Sequence, residues 1–522
     1  MQKTELLNFC SEKNVLLDSS LLDAFLEIPE KPAKELIERI KVLLGKSFIN
    51  IHLINEKKRE IKKFVEELKI LTGFDFKRLN EEFNLDEIKE EIKGKIVFEK
   101  EIEPKVKILT NTVNTNKGLD VKMFTTYFRN RYEDLKNILQ GEKEFENLVS
   151  ISKISDEKQK FSIIGMVLSK KISKNKNYIL EIEDFSGKMK VIISGEKEEL
   201  VEEVENISLD SVLGFSGVGN KEVMFVNEII FPDLHVKERK KSFVEEYALF
   251  IGDLHYGSKN FLKKDFLKFI EYLSEDSPKL EETSKIKYLF VVGDLVTGVG
   301  NYPNQEKDLV LKDLEEQFQS LADLFKRIRK DIKIIILPGN HDGVRLMEPQ
   351  PTLDEKYAWP LFELENVLMV GNPCMVNIAE RKEFQGFDVL CYHGFSFPFY
   401  ANNVPKLMLE KTMNEPEKII KYLLRNRHLA PTQGSVQYFP LEKDCHLIRK
   451  VPDIFVAGHT HKSGVSYYND VLIISVSSWE GKTPYQEKFG NEPDHGKVPM
   501  VNLKTRAVKI LDFEAKEEED GN

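Results

Sequence analysis

Ile332-Lys333-Ile334-Ile335-Ile336-Leu337 runs directly into Pro338-Gly339-Asn340-His341-Asp342. A short apolar run rich in β-branched residues, closed by Pro-Gly, reads as a buried strand ending in a tight turn. The polar residues then stand where the chain leaves the sheet. The same rhythm occurs four more times. Tyr247-Ala248-Leu249-Phe250-Ile251 leads into Gly252-Asp253-Leu254-His255, and Tyr288-Leu289-Phe290-Val291-Val292 into Gly293-Asp294. Val389-Leu390-Cys391-Tyr392 leads into His393-Gly394, and Ile454-Phe455-Val456-Ala457 into Gly458-His459-Thr460-His461. Continuous apolar strands of this kind are covered by helices on their faces. Sites in such sheets lie off the carboxyl ends of the strands, where all five polar clusters fall.

The side chains at those ends are oxygen and imidazole donors. Asp253 and His255, two apart on an extended exit, can point to one side and bind a first metal ion. Asp294 carries two oxygens and serves as the bridging ligand. Asn340, His393 and His459 supply the second ion, and His461 returns to the first. Mixed oxygen and nitrogen donors suit manganese, iron or zinc better than calcium. Two such ions lower the pKa of a bridging water and clamp phosphoryl oxygens, the equipment for cutting phosphate esters. His341 is left over as a ligand and is assigned to transition-state charge or the leaving oxygen, with Asp342 orienting its ring. Singly, each cluster is weak: Gly293-Asp294 alone is a turn, and His393 alone is a core histidine. Their joint order at successive strand ends carries the reading.

The rest of the chain sets bounds. Its 522 residues exceed one compact domain. The net charge of −10 argues against a globally basic coat for nucleic acid, while leaving room for a local basic face. Cys10, Cys374, Cys391 and Cys445 are irregularly spaced, which fits a reducing interior. There is neither a signal-peptide core nor an apolar stretch of membrane-spanning length. The expectation is a cytoplasmic protein without a membrane partner.

The overall reading is a multidomain α+β chain. Residues 1–70 show apolar clusters at helical spacing, with Ser19 and Ser20 as caps, and read as a helical interaction domain. Residues 71–157, rich in Lys, Glu and Asn, read as a charged flexible linker. Residues 158–237 switch to short strands with one helical stretch, Lys197–Val204, suggesting an OB-type barrel. Residues 238–513 hold the donor clusters, and 514–522 read as an acidic tail.

With these residues in view, the second half resembles the calcineurin-like metallophosphoesterase superfamily. More closely, Pro338–Asp342 followed by Glu348-Pro349-Gln350-Pro351 is similar to the small subunit of archaeal D-family DNA polymerase. So are Arg427-His428-Leu429-Ala430-Pro431-Thr432, Pro452–Phe455, Ser478-Trp479 with Thr483 and Gln486, and Val299–Pro303 with Gln305. The resemblance covers about residues 158–513. It implies an αββα phosphodiesterase domain, an OB-fold domain, and a variable, flexibly attached amino-terminal region. It also implies a heterodimer with the large catalytic polymerase subunit, in which the small subunit proofreads as a manganese-assisted 3′–5′ exonuclease on a primer 3′ end. A sliding clamp is a further candidate partner, although no clear clamp-binding peptide stands in the sequence. In the related eukaryotic B subunits the metal ligands have decayed; here all seven, and His341, are present.

Two groups are assigned to substrate on weaker grounds. Arg425, Arg427 and His428 could guide a DNA backbone or cap a helix. Tyr302 and Tyr400 could stack on a terminal base or pack at the rim. Two rival functions stay open from sequence: a free-standing metallophosphatase and a purely structural polymerase subunit.

Overall fold

The computed structural model describes residues 3–49, scattered positions between 53 and 79, and 104–514 apart from 113–117, 119, 143–144 and 236–238. The chain divides into two compact units, Met1–Ile102 and Glu103–Asn522.

In the first unit, helices Lys3–Glu12, Ser19–Leu26 and Glu30–Leu44 enclose a core of Leu6, Leu21, Phe25, Leu36, Ile37 and Ile40. The cap of the second helix is Asp18, whose carboxylate accepts the Leu21 N–H at 2.9 Å; Ser19 and Ser20 lie inside the helix. An ionised acceptor at that position satisfies an amide the helix cannot. The third helix stops at Gly45, which takes φ 62°, a left-handed closure that costs glycine little.

The second unit contains a closed five-stranded barrel. Its strands are Gln159–Ile172, Tyr178–Asp184, Gly187–Ile193, Val212–Gly219 and Val223–Ile230. The third strand pairs in parallel with the fifth, and the fourth closes on the first. Helix Glu198–Glu205 lies between the third and fourth strands. Alternating residues such as Ile163, Leu180, Ile182, Val191, Leu213 and Phe215 fill the interior.

The remainder of this unit is four-layered. One six-stranded sheet runs Val367–Met369, Lys333–Leu337, Ile286–Val292, Tyr247–Ile251, Lys497–Asn502 and Val508–Asp512. The other runs Gly464–Tyr468, Val471–Ser475, Ile454–Ala457, Phe387–Tyr392, Cys374–Ile378 and Val106–Thr110. Their inner faces meet through Phe250, Phe290, Val292 and Ile335 against Val376, Val389, Val456 and Ile474. Helices Lys263–Tyr272, Leu314–Phe325 and Glu355–Phe362 cover the outer face of the first sheet through Phe266, Phe269, Phe318, Leu321 and Leu361. Helices Phe397–Asn403 and Pro416–Arg425 cover the second through Phe397, Tyr400, Ile420 and Leu424. The buried Trp479 packs between Phe266 and Phe269, with ring centroids 5.0 and 5.3 Å away.

The reading of 71–157 as a flexible linker is corrected for its second half; much of its first half lies outside the described residues. Val106–Thr110 forms the edge strand paired with Cys374–Ile378, and Thr110 Oγ1 accepts the Met375 N–H at 2.9 Å. Val121–Glu142 is a 22-residue helix whose Tyr132, Leu135 and Leu139 pack on barrel residues Ile164, Met166 and Val212. Of its charged residues Lys122, Arg129 and Glu133 are exposed, while Arg131 is buried. Among the described residues no helix is long and apolar enough to cross a membrane.

Candidate metal centre

Each donor sits just beyond a strand. Asp253 and His255 follow Tyr247–Ile251, Asp294 follows Ile286–Val292, and Asn340 and His341 follow Lys333–Leu337, all in the first sheet. His393 follows Phe387–Tyr392, and His459 and His461 follow Ile454–Ala457, in the second. The three strands of the first sheet are mutually parallel, as are the two of the second, so their carboxyl ends share an edge.

The donors converge into three overlapping groups: Asp253, His255 and His461; His255, Asp294 and His341; and Asp294, His393 and His459. Within each group the ligand atoms lie within 4.8 Å of one another. His461 Nε2 lies 3.6 Å from Asp253 Oδ1 and 3.1 Å from His255 Nε2. Asp294 Oδ2 lies 3.3 Å from His393 Nε2 and 3.9 Å from His255 Nε2, so one carboxylate faces both sides. Asn340 Oδ1 is 3.1 Å from His393 Nε2.

The backbone is bent to deliver these atoms. Asp253, His255, Asp294, His459 and His461 all adopt positive φ, between 47° and 70°. Non-glycine residues there cost on the order of 1 kcal/mol each or more, and such strain gathers at functional sites. Two glycines beside the donors permit the approach. A Cβ on Gly339 would sit 2.2 Å from Asp294 Oδ1, and one on Gly293 would sit 2.4 Å from His393 Nδ1.

Partners outside the centre fix the ring orientations. His393 Nδ1 faces the Val292 carbonyl at 3.0 Å, leaving Nε2 for the centre. Asp294 Oδ1 accepts the His341 N–H at 2.8 Å, and the Asp253 carboxylate accepts the His459 N–H at 2.9 Å. The Asp253 carbonyl is held by the Trp479 N–H and the Ser478 hydroxyl, both at 3.0 Å. Gln486, part of a capping box with Thr483, reaches His461 Nδ1 at 2.8 Å.

The electrostatics favour a cationic guest. Burial, with neighbouring imidazoles, lowers His255 to about 3 and holds His459 and His461 well below the usual range, so these rings are neutral lone-pair donors. Burial and the nearby Asp294 push Asp253 well up, the mark of a carboxylate short of positive charge. Burial would also raise Asp294, but His393 and His341 outweigh it and hold it well down. Burial opposes protonation of His393, yet Asp294 and Asp253 raise it to about 10. A proton there supplies the charge that a divalent cation would supply instead. The donor set therefore fits a pair of divalent ions.

Several sequence assignments are corrected. Asp342 does not orient His341: its oxygens accept the Val296 and Gly339 N–H groups at 3.0 and 2.8 Å, bracing two loops. The His341 ring is set by the Thr297 carbonyl, 3.0 Å from Nδ1, an oxygen that also accepts from the Asn301 amide at 3.0 Å. Arg427 and His428 are buried and cannot touch a DNA backbone. His428 Nε2 pairs with Asp444 at 2.8 Å. Arg425 is drawn into an ion pair with Glu203 of the barrel at 2.7 Å and lies over the Phe231 ring. Tyr400 is buried, with its hydroxyl on Ser435 at 3.1 Å. Tyr302 alone of this set keeps an exposed ring, 43% accessible, with its hydroxyl on Asp308 at 2.9 Å.

Sequence reasoning missed Thr297, Asn301 and Glu480. Glu480 is buried against Ser258, and burial above all raises it to about 7, with His341 and Asp294 among the charges it senses. A single polar residue in a loop gives no local signal of such placement.

The calcineurin-like phosphoesterase family matches residues 248–463, the span holding all seven donors and His341. Beyond that domain, the DNA polymerase II small subunit of Pyrococcus furiosus is 35% identical over 449 residues, covering 83% of this chain and 70% of the relative. That of Methanothermobacter thermautotrophicus is 34% identical, covering 83% and 89%. The chain belongs to the family of archaeal DNA polymerase II small subunits. The Methanocaldococcus jannaschii small subunit, 36% identical over 442 residues, covers 82% of this chain and 72% of its own length. Since the aligned length exceeds the 216 residues of the phosphoesterase match, the likeness extends well outside the metal centre. The calcineurin-like family uses divalent metals, in keeping with the donor chemistry above.

Proposed function

We propose that this small subunit is a two-metal 3′–5′ exonuclease that proofreads for a large catalytic polymerase subunit, acting on the primer 3′ end in the cytoplasm. The observation that carries the reading is Asp294, which belongs to two overlapping donor groups, with one carboxylate oxygen 3.3 Å from His393 Nε2 and 3.9 Å from His255 Nε2. Asp253, His255 and His461 would hold one ion, and Asn340, His393 and His459 the other, with Asp294 shared. Manganese is the proposed metal, with iron and zinc as alternatives. When bound, an ion pair of this kind supplies a nucleophile at neutral pH and neutralises phosphoryl charge.

The remaining chemistry falls to the chain's own groups. His341 is half-buried, with Nδ1 tied to Thr297 and Nε2 left to face a phosphodiester oxygen or deliver a proton to the leaving 3′ oxygen. The exposed Tyr302 ring would stack on the terminal base. The barrel is read as OB-type from its strand order and single helix. It docks the large subunit or guides single-stranded DNA. The free cysteines, three of them buried, accord with a reducing compartment.

The test is digestion of a paired and a mispaired primer with manganese, with and without the large subunit, for wild type and Asp294→Ala. The reading expects faster loss of the mispaired 3′ nucleotide by wild type and none by the variant. Equal digestion by the variant would refute the site. Cleavage confined to a generic phosphomonoester would refute the substrate.

A further inference from the structure

Behind the centre lies a buried polar chain that the sequence motifs around Glu348 and His428 build together. Glu348 is 1% exposed. Its Oε2 faces His446 Nε2 and accepts the Tyr392 hydroxyl, each at 3.0 Å; its Oε1 faces the Asn372 amide at 3.5 Å. Asn372, fully buried, accepts the His393 N–H on Oδ1 at 2.9 Å and donates to Gln350 Oε1 at 2.7 Å. Gln350 in turn donates to the Gly339 carbonyl at 3.3 Å. Tyr392 immediately precedes His393, and its hydroxyl also accepts the Ser396 N–H at 3.1 Å, so the turn bearing His393 is pinned on both sides.

The chain continues away from the centre. Asp444 accepts the His446 N–H at 3.0 Å, faces His428 Nε2 at 2.8 Å, and accepts from the Tyr127 hydroxyl and Arg131 Nε, each at 2.6 Å. Tyr127 and Arg131 belong to the helix Val121–Glu142 that also packs on the barrel. Groups this deeply buried are costly unless paired, and here the pairs run without a break from that helix to the backbone of His393 and Gly339.

We infer that Glu348 is a positioning residue for the metal centre: through Tyr392 and Asn372 it sets the turn that presents His393, and so governs the ion on the His393 side and not the ion on the Asp253 side. This rests on the reading of the centre as a cation pair. Partners one step removed from metal ligands are worth about 10–100-fold in affinity. Glu348→Gln keeps the side chain's shape but turns an amide toward the Asn372 amide, donor against donor. Tyr392→Phe removes one anchor with little change of volume.

The experiment uses the full chain stripped of metal and titrated with manganese, followed by calorimetry and by electron paramagnetic resonance. Wild type is expected to take two ions per chain and to show an exchange-coupled pair. In Glu348→Gln one equivalent falls 10–100-fold while the other is unchanged, and the coupled signal gives way to that of isolated ions. Tyr392→Phe, whose thermal melt reports its fold, shifts the same equivalent in the same direction and decides the matter if Glu348→Gln does not fold. Wild-type binding of both equivalents in the folded variants overturns the inference. So does equal weakening of both, the mark of a merely structural role. A wild type that takes up no manganese sinks the cation-pair reading itself, a distinguishable result.

Discussion

Gln486 Nε2 lies 2.8 Å from His461 Nδ1 while the Gln486 Oε1 accepts the Thr483 N–H at 2.9 Å. With the amide donating, the imidazole carries its proton on Nε2, toward His255 Nε2 at 3.1 Å. A cation on the Asp253 side needs that lone pair, so the proton must move to Nδ1 and the amide must turn. A carboxylate at this position would accept from Nδ1 directly and raise the basicity of the ligand. Gln486→Glu is therefore expected to tighten the first manganese equivalent by about tenfold, and Gln486→Ala to leave it near wild type. Calorimetric titration distinguishes the two.

The buried Arg131–Asp444 pair makes a second prediction. Both side chains are fully buried, 2.6 Å apart, and the guanidinium also lies 4.8 Å from the Phe128 ring centroid. Removing one partner strands a charge in a dry interior, at about 3–5 kcal/mol. Arg131→Met should lower stability by that order, and Arg131→Met with Asp444→Asn by less than the sum of the two singles. Chemical denaturation of the four proteins reads the coupling.

Stability should also fall with acid through His428. Burial, with Arg131 nearby, lowers its pKa from 6.5 to about 3. A depressed folded pKa means that the contribution is complete above pH 6.5 and is lost as pH falls toward 3. Between pH 7 and 5 this amounts to about 2 kcal/mol. His446 works the other way: burial opposes its charge, but Asp444 and Glu348 raise its pKa. The His428 contribution is thus read as the difference in slope between wild type and His428→Asn, which should be flatter in denaturation curves taken across this range.

Tyr302 and Arg425 separate substrate contact from scaffold. Tyr302→Ala is expected to raise KM on a primer 3′ end by about tenfold, the value of a lost base stack, while leaving hydrolysis of a small chromogenic diester unchanged. Arg425→Ala, which loses a half-exposed ion pair to Glu203, is expected to leave both substrates unchanged and stability within about 1 kcal/mol. Steady-state kinetics on the two substrates provides the check.

The sheet and its donors were legible because the signal is local. Apolar runs such as Tyr288–Val292 announce strands, and a polar residue beside glycine at the exit announces what the strand delivers. The bracing was not legible. Asp342 and His341 are neighbours in sequence, yet the carboxylate turns to Val296 and the ring to Thr297. Arg131 and Asp444 are 313 residues apart, and nothing near either marks the other. Val106–Thr110 escaped for a related reason: as an edge strand with Lys107 and Ile108 exposed, it lacks the apolar run of a central strand.

The most direct measurement is anomalous diffraction from crystals of the full chain soaked in manganese. The account predicts two peaks roughly 3.5–4 Å apart on either side of Asp294. One peak is expected against Asp253, His255 and His461, and the other against Asn340, His393 and His459. A single peak, or none within reach of Asp294 at saturating manganese, would contradict it.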